Sequence, residues 1–250
     1  MNEQERKQLA TAQNLVSTLT KADSQADRIE LANMALKISK HCADAYILLA
    51  QEKPHNLAAK LNLLEKAVAV GESAISVEDF RSYYGEFWGF LQARPYMRAR
   101  ASLADCLWEL GRREQSLDHL VDILTLNHQD DLGLRFIVVS RAIALNRLEL
   151  AEKILTAYQD TGFADWAFNL ALVEFIGGGA GKQAAQALDK AGQTNEFVME
   201  MLAGRVEVSN AKIDGYKLGS KQEAIFYVRD NMENWQSTPG AIDWIKTYII

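Results

Sequence analysis

The sequence predicts an all-α protein built as a stack of antiparallel helix pairs. Three observations predict it. Pro is rare, three in 250 residues, so long stretches lack the residue that breaks helix interiors. Apolar residues recur at helical spacing through most of the chain. One pattern also repeats. It reads Leu103-Ala104…Leu107…Gly111…Ser116…Leu120…Ile123, then Val138-Val139…Ala142…Asn146…Ala151…Leu155…Tyr158, then Ala171-Leu172…Phe175…Gly179…Ala184…Leu188…Ala191. Each pass is one hairpin: an apolar helix, a turn residue, and a second helix that opens on a small residue.

These units start near Met97, Leu132 and Asp165, 35 and 33 residues apart. A period of about 34 residues with small residues in both helices is similar to the tetratricopeptide repeat. The expected fold is therefore a tetratricopeptide-like superhelix of antiparallel helix pairs, with an aromatic-rich insertion and a C-terminal capping helix pair. Its expected parts form one solenoid: an N-terminal helix pair over 1–40, a degenerate first repeat over 41–71, the insertion over 72–96, three repeats over 97–192, and a connector with capping helices over 193–250.

Each element has a local reason. Residues 2–20 read as a helix with Asn2 as N-cap and Glu5 at N3. Ser24 opens the next helix, which runs to about Lys40. Asp44 opens another, cut short by Pro54. Its partner runs from Asn56 to Val70, where Gly71 stops it. Ser76 caps a helix to about Ala93, followed by Pro95. Seven aromatics fall within 72–96, well above the chain average of 9 %, which marks this stretch as an interruption of the period. After the repeats, Thr194–Ala203 reads as a short helix and 204–219 as a turn-rich connector, with room for a brief extended segment at Val206 and Val208. Ser220-Lys221-Gln222-Glu223 reads as a capping box, and Thr238-Pro239 as the start of the last helix. A closing pair that covers the last repeat is what a solenoid needs for solubility.

Composition narrows the function classes. A net charge of −6 disfavours general binding to nucleic acid, which needs clustered cations. No apolar run approaches the length that spans a bilayer, and the charged N-terminus lacks the apolar core of a secretory leader. A cytoplasmic location is expected. Cys42 and Cys106 lie in separate apolar helical patterns and read as buried thiols. The four histidines show no metal-ligand spacing, so neither metal nor cofactor is expected. Gly177-Gly178-Gly179-Ala180-Gly181-Lys182 resembles a phosphate loop only superficially. Gln183 follows the Lys, no strand precedes it, and a hairpin turn is the better reading. No catalytic motif is visible, and the chain is not expected to be an enzyme.

Four segments carry a more specific resemblance: Cys42-Ala43-Asp44-Ala45-Tyr46-Ile47-Leu48-Leu49-Ala50, Glu86-Phe87-Trp88-Gly89, Arg94-Pro95-Tyr96-Met97-Arg98-Ala99 and Leu107-Trp108-Glu109-Leu110-Gly111-Arg112. With Ser237-Thr238-Pro239-Gly240-Ala241-Ile242-Asp243-Trp244 near the end, the chain over about 24–250 resembles the suppression-of-tumorigenicity-seven family and its bacterial relatives. The resemblance implies a tetratricopeptide-like fold and carries over no enzymatic residue. Animal members of that family carry hydrophobic membrane segments, and none is visible in this sequence.

In such a superhelix the first helix of each repeat lines the concave groove. The candidate groove residues are Arg98, Asp105 and Trp108, then Phe136, Ser140 and Ile143, then Trp166 and Asn169. They suit a peptide with apolar side chains. Packing against the inserted or terminal helices is the competing reading for Trp108, Phe136 and Trp166. Arg94 and Arg98, with Glu86 nearby, form a candidate carboxylate clamp, or pair inside the fold with Glu86, Asp105 or Glu109. Phe87 and Trp88 of the insertion, and Trp244 and Tyr248 of the last helix, are candidate interface residues. The expected function is a scaffold that binds a protein or peptide partner. A self-associating homodimer is the first alternative, and a nucleic-acid-associated regulator is the least favoured.

Overall fold

A computed structural model describes residues 1–18, 24–52, 56–159 and 162–249. Pro54 and His55 lie outside the described residues. The chain forms two compact units, Met1–Leu134 and Arg135–Ile250. The boundary falls inside the stretch read as three repeats.

The first unit holds α1 (Glu3–Ser17), α2 (Gln25–Ile38), α3 (Ala43–Glu52), α4 (Leu57–Ser73), α5 (Val77–Ser82), a 3-10 turn at Phe87–Gly89, α6 (Arg94–Glu109) and α7 (Arg113–Leu126). The pairs α1/α2, α3/α4 and α6/α7 are its hairpins. Asn2 and Glu5 form the expected capping box, at 2.8 and 2.9 Å. Small residues let the helices close on one another. Ala12, Ala32, Ala35, Cys42 and Ala45 form one core cluster, and Ala43, Ala67, Ala99 and Cys106 anchor another. Both cysteines are free and buried. Burial pushes the Cys42 thiol up to about 11 and the Cys106 thiol above its usual value, so both are poor nucleophiles.

Two glycines of this unit depart from their sequence reading. Gly71 lies inside α4 and does not end it. A Cβ there would stand 3.0 Å from the Tyr96 Cα, so the missing side chain lets α6 approach. Gly85 breaks the helix expected over Ser76–Ala93, which stops at Ser82. Its φ of +90° suits glycine, and a Cβ would meet the His128 ring at 3.1 Å. The His128 N–H donates to the Gly85 carbonyl (2.8 Å), and the Trp88 N–H donates to Asn127 Oδ1 (3.2 Å). These bonds tie the insertion to the end of α7. Its rings then pack on each other: Phe80 on Phe87, and Tyr83 stacked on Phe90 at 3.6 Å.

The second unit holds α8 (Leu134–Ala144), α9 (Leu148–Tyr158), α10 (Ala164–Gly178), α11 (Lys182–Thr194), α12 (Phe197–Leu202), α13 (Lys221–Ser237) and α14 (Ala241–Lys246). The turn residues of the repeat pattern behave alike. Gly111, Asn146 and Gly179 have φ of +76°, +54° and +65°. At the first two, the following N–H reaches back to close the helix, Arg112 to the Leu107 carbonyl and Arg147 to the Ala142 carbonyl. The Gly-rich stretch is the α10–α11 turn. No strand is present among the described residues, including Val206 and Val208. The last helix starts at Ala241, two residues after Pro239, because Gly240 takes a left-handed φ of +80° first.

Glu223 is fully buried and organises this unit. Ser220 caps it as expected, but its carboxylate does not return to the Ser220 N–H. It accepts from the Ala164 N–H (3.0 Å), Asn195 Nδ2 (3.0 Å) and the Gly219 N–H (2.6 Å). It thereby satisfies the start of α10, which lacks a side-chain cap of its own.

Candidate functional site

A large concavity lies within the first unit. It has a volume of about 1060 Å³ and is lined by one stripe from each of α1, α3 and α6, closed by Leu91, Gln92 and Leu132. The stripes follow helical spacing: Gln13 and Ser17 on α1; Asp44, Leu48 and Gln51 on α3; Arg94, Arg98 and Ala101 on α6. The surface mixes side-chain amides, aliphatic groups and guanidinium groups.

The arginines are held in place. Arg98 meets Asp44 through two bonds, Nε to Oδ1 at 2.9 Å and Nη2 to Oδ2 at 2.8 Å. Arg28 makes a similar fork to Glu52. Arg94 donates from Nε to the Trp88 carbonyl at 2.7 Å. The guanidinium carbons of Arg94 and Arg98 lie 5.2 and 5.8 Å from the Trp88 ring centre. Trp88 is therefore a platform for both, a geometry that favours guanidinium. Glu86 takes no part in this arrangement; its place is taken by Asp44.

The other sequence candidates lie elsewhere. Asp105 is exposed, and the Trp108 ring carries the Arg113 guanidinium at 5.0 Å; neither lines the groove. Phe87 is fully buried. In the second unit, Phe136 packs on Phe163 and Trp166, and Trp166 and Ile143 are buried. Asn234 donates from Nδ2 to the Ser140 carbonyl at 3.0 Å, and the Tyr227 hydroxyl donates to Asn169 Oδ1 at 3.1 Å. Both partners belong to α13, so this helix lies on the inner positions of α8 and α10. Trp244 stacks on Phe175 at 4.6 Å, with Tyr248 edge-on to it.

Sequence reasoning missed the α1 and α3 walls and the Leu91–Gln92 mouth. The signal was present for α3, where Asp44, Leu48 and Gln51 share the spacing of Arg94, Arg98 and Ala101. It was hidden because Asp44 and Arg98 are 54 residues apart.

A second, smaller cleft of about 250 Å³ holds Arg100, His119 and Asp122. Arg100 donates to His119 Nδ1 (3.3 Å) and Asp122 Oδ2 (2.5 Å). Burial, then the Arg100 charge, lower the His119 pKa, which favours the neutral imidazole. Among the described residues no group of three or more His, Cys, Asp or Glu is arranged to hold a metal ion. No helix among them is long and apolar enough to cross a membrane.

Comparison with known proteins agrees with this architecture. Among solved structures the chain is similar to YrrB, described as a TPR protein with an unusual peptide-binding site. The identity is 19 % and the TM-score 0.53, over 73 % of this chain and 84 % of that one. At that identity the likeness speaks to the fold. The chain is a tetratricopeptide-like helical-repeat protein. Residues 3–125 match the family model described as ST7 protein, a match that ends with the last turn of α7. The Phe87-Trp88-Gly89 and Arg94-to-Arg98 segments both fall inside that match. No curated protein matches the chain.

Proposed function

We propose that this chain is a non-enzymatic interaction scaffold that holds a peptide segment of a partner protein in the groove of the first unit. The observation that carries the reading is the groove itself, about 1060 Å³ across α1, α3 and α6. An extended peptide needs amides for its backbone, aliphatic surface for its anchors, and a fixed charge to set register. Gln13, Gln51 and Gln92 offer the first, Leu48, Leu91 and Leu132 the second, and Arg94 and Arg98 the third. The likeness to a TPR protein described by its peptide-binding site supports the reading at the level of fold. A cytoplasmic setting and a protein rather than nucleic-acid partner go with the net charge of −6.

Ala101 and Ser102 lie on the groove floor, so Ala101→Trp and Ser102→Trp test the reading. Proteins captured from host lysate by the wild type are expected to be lost from both variants, with the helical circular dichroism unchanged. An unchanged captured set removes the groove as the contact surface.

A second reading, self-association through the insertion, draws on Val77 and Tyr84, which are 70 and 57 % exposed. Light scattering over a wide concentration range separates the two, since a constant monomer mass sinks the second.

A further inference from the structure

We propose that residues 204–219 form a lid over a cluster of carboxyl groups on the second unit, closed while Asp165 and Asp230 are protonated and opening as they ionise. The inference concerns the second unit alone and does not depend on the peptide groove.

The argument starts from what holds the connector down. Between Leu202, the end of α12, and Lys221, the start of α13, the chain has no helix or strand. No residue of 204–219 is buried, and only Val206, Val208 and Ile213 are half-buried. A stretch with so little packing depends on point fixings. Its ends are tied by backbone: the Arg205 N–H donates to the Glu200 carbonyl (2.9 Å) and the Ser220 N–H to the Lys217 carbonyl (3.1 Å). Its middle is tied by side chains of α13. Arg229 donates from Nη2 to the carbonyls of Ser209 and Ala211, the second at 2.9 Å. The Phe226 ring meets the Tyr216 ring at 5.3 Å. Few, solvent-facing fixings place the connector at the low-stability end of the fold.

The lid lies against an acidic cluster. Asp165 of α10 is half-buried, and Asp230 of α13 lies at the exposed rim. Asp165 is faced by Asp230 and Glu223 from α13 and by Tyr216 from the lid, and Arg229 acts on Asp230. The Arg229 Nη2 is nevertheless turned to the lid's carbonyls, and its buried Nε has no hydrogen-bond partner among the described residues. The Asn231 side chain stands beside Asp165, and its buried Oδ1 is an unpartnered acceptor among the described residues. A protonated Asp165 carries the O–H that this acceptor lacks.

The direction follows from linkage. Burial, then the charges of Asp230 and Glu223, raise the Asp165 carboxyl from 3.8 to about 7, and burial raises Asp230. Burial and the same three acids raise the Tyr216 hydroxyl, which sets the lid's own ring against the cluster. A closed lid keeps water from the carboxyls and favours their neutral form. By the same free energy, their ionisation favours the open lid. Because the closed-state value lies above the ordinary 3.8, the support for closure is complete below about pH 4 and is lost as pH rises through about 7. Opening lifts Tyr216 from Phe226 and frees Arg229 for the acids.

The test uses the full chain and hydrogen exchange read by mass spectrometry at pH 5 and pH 8, each rate corrected for the intrinsic effect of pH. Peptides from 204–219 are expected to lose protection roughly tenfold at pH 8 relative to pH 5, while those from α10 and α13 keep theirs. Asp165→Asn should hold the lid closed at both pH values, Asp230→Asn should weaken the response, and Arg229→Gln should leave the lid open at both. Lys212→Gln, on the exposed side of the lid, should change nothing. Equal protection at the two pH values overturns the inference. So does a response that survives in Asp165→Asn, and so does a loss that runs equally through α10 and α13, which marks unfolding of the whole unit. Should Asp165→Asn fail to fold by circular dichroism, Asp230→Asn decides in its place, and a response unaltered in that variant overturns the inference.

Discussion

Gly71 and Gly111 are the same residue type with different reasons, and only one reason is local. Gly111 ends a helix in a left-handed turn, and the same turn recurs at Asn146 and Gly179. Repetition made that role legible in the sequence. Gly71 is needed because Tyr96, 25 residues away, packs its backbone against it. Nothing near Gly71 in the sequence announces this. Gly71→Ala is expected to cost about 1–3 kcal/mol in chemical denaturation, since a methyl has no room against backbone. Gly89→Ala, with nothing within 4 Å of the added Cβ, should change stability little. The site divides in the same way. Arg94 and Arg98 were visible as a dense cationic stretch, whereas Asp44 and the Trp88 platform became visible only when the helices were brought together.

At the scale of elements, two tethers decide what the helices can do. Asn127 is buried at the end of α7 and bonds both the Trp88 N–H and Asp131. Asn127→Ala is expected to cost about 1–3 kcal/mol and to speed amide exchange through residues 85–90. The second tether is α13. Burial, then the charges of Asp230 and Glu223, push the Asp165 carboxyl at the start of α10 up to about 7. Burial raises Asp230 as well, with Arg229 opposing it. Because the folded value lies above the ordinary 3.8, Asp165 is most stabilising when protonated. That contribution is complete below about pH 4 and is lost as pH rises through about 7. The melting temperature of the second unit should fall by on the order of 5 °C between pH 5 and pH 8, and Asp165→Asn should flatten the dependence. The periodicity revealed α13 as a helix with a good cap. It did not reveal that Asn231, Asn234 and Glu223 face inward, because polar residues on a helix usually mark its solvent side.

For the molecule as a whole, the helix-pair architecture was legible because repetition turns weak local signals into a strong one. The division near Leu134 was not, since it falls inside a stretch whose pattern runs on without a break. Its consequence is a prediction: a fragment of residues 1–134 should fold cooperatively, with strong helical circular dichroism and a single unfolding transition. A broad, non-cooperative melt would show that the first unit depends on the rest of the chain. The two units also use their inner positions differently. The first presents a groove, while in the second α13 occupies the corresponding surface of α8 and α10. Of the five tryptophans, only Trp88 and Trp108 lie in the fragment, and only Trp88 stands under the groove arginines. Indole emission responds to a charge moving across its face. The protein thus carries its own optical gauge: a titrant that draws Arg94 away from Trp88 registers in the fluorescence of unlabelled protein, and Trp88→Phe should silence the signal.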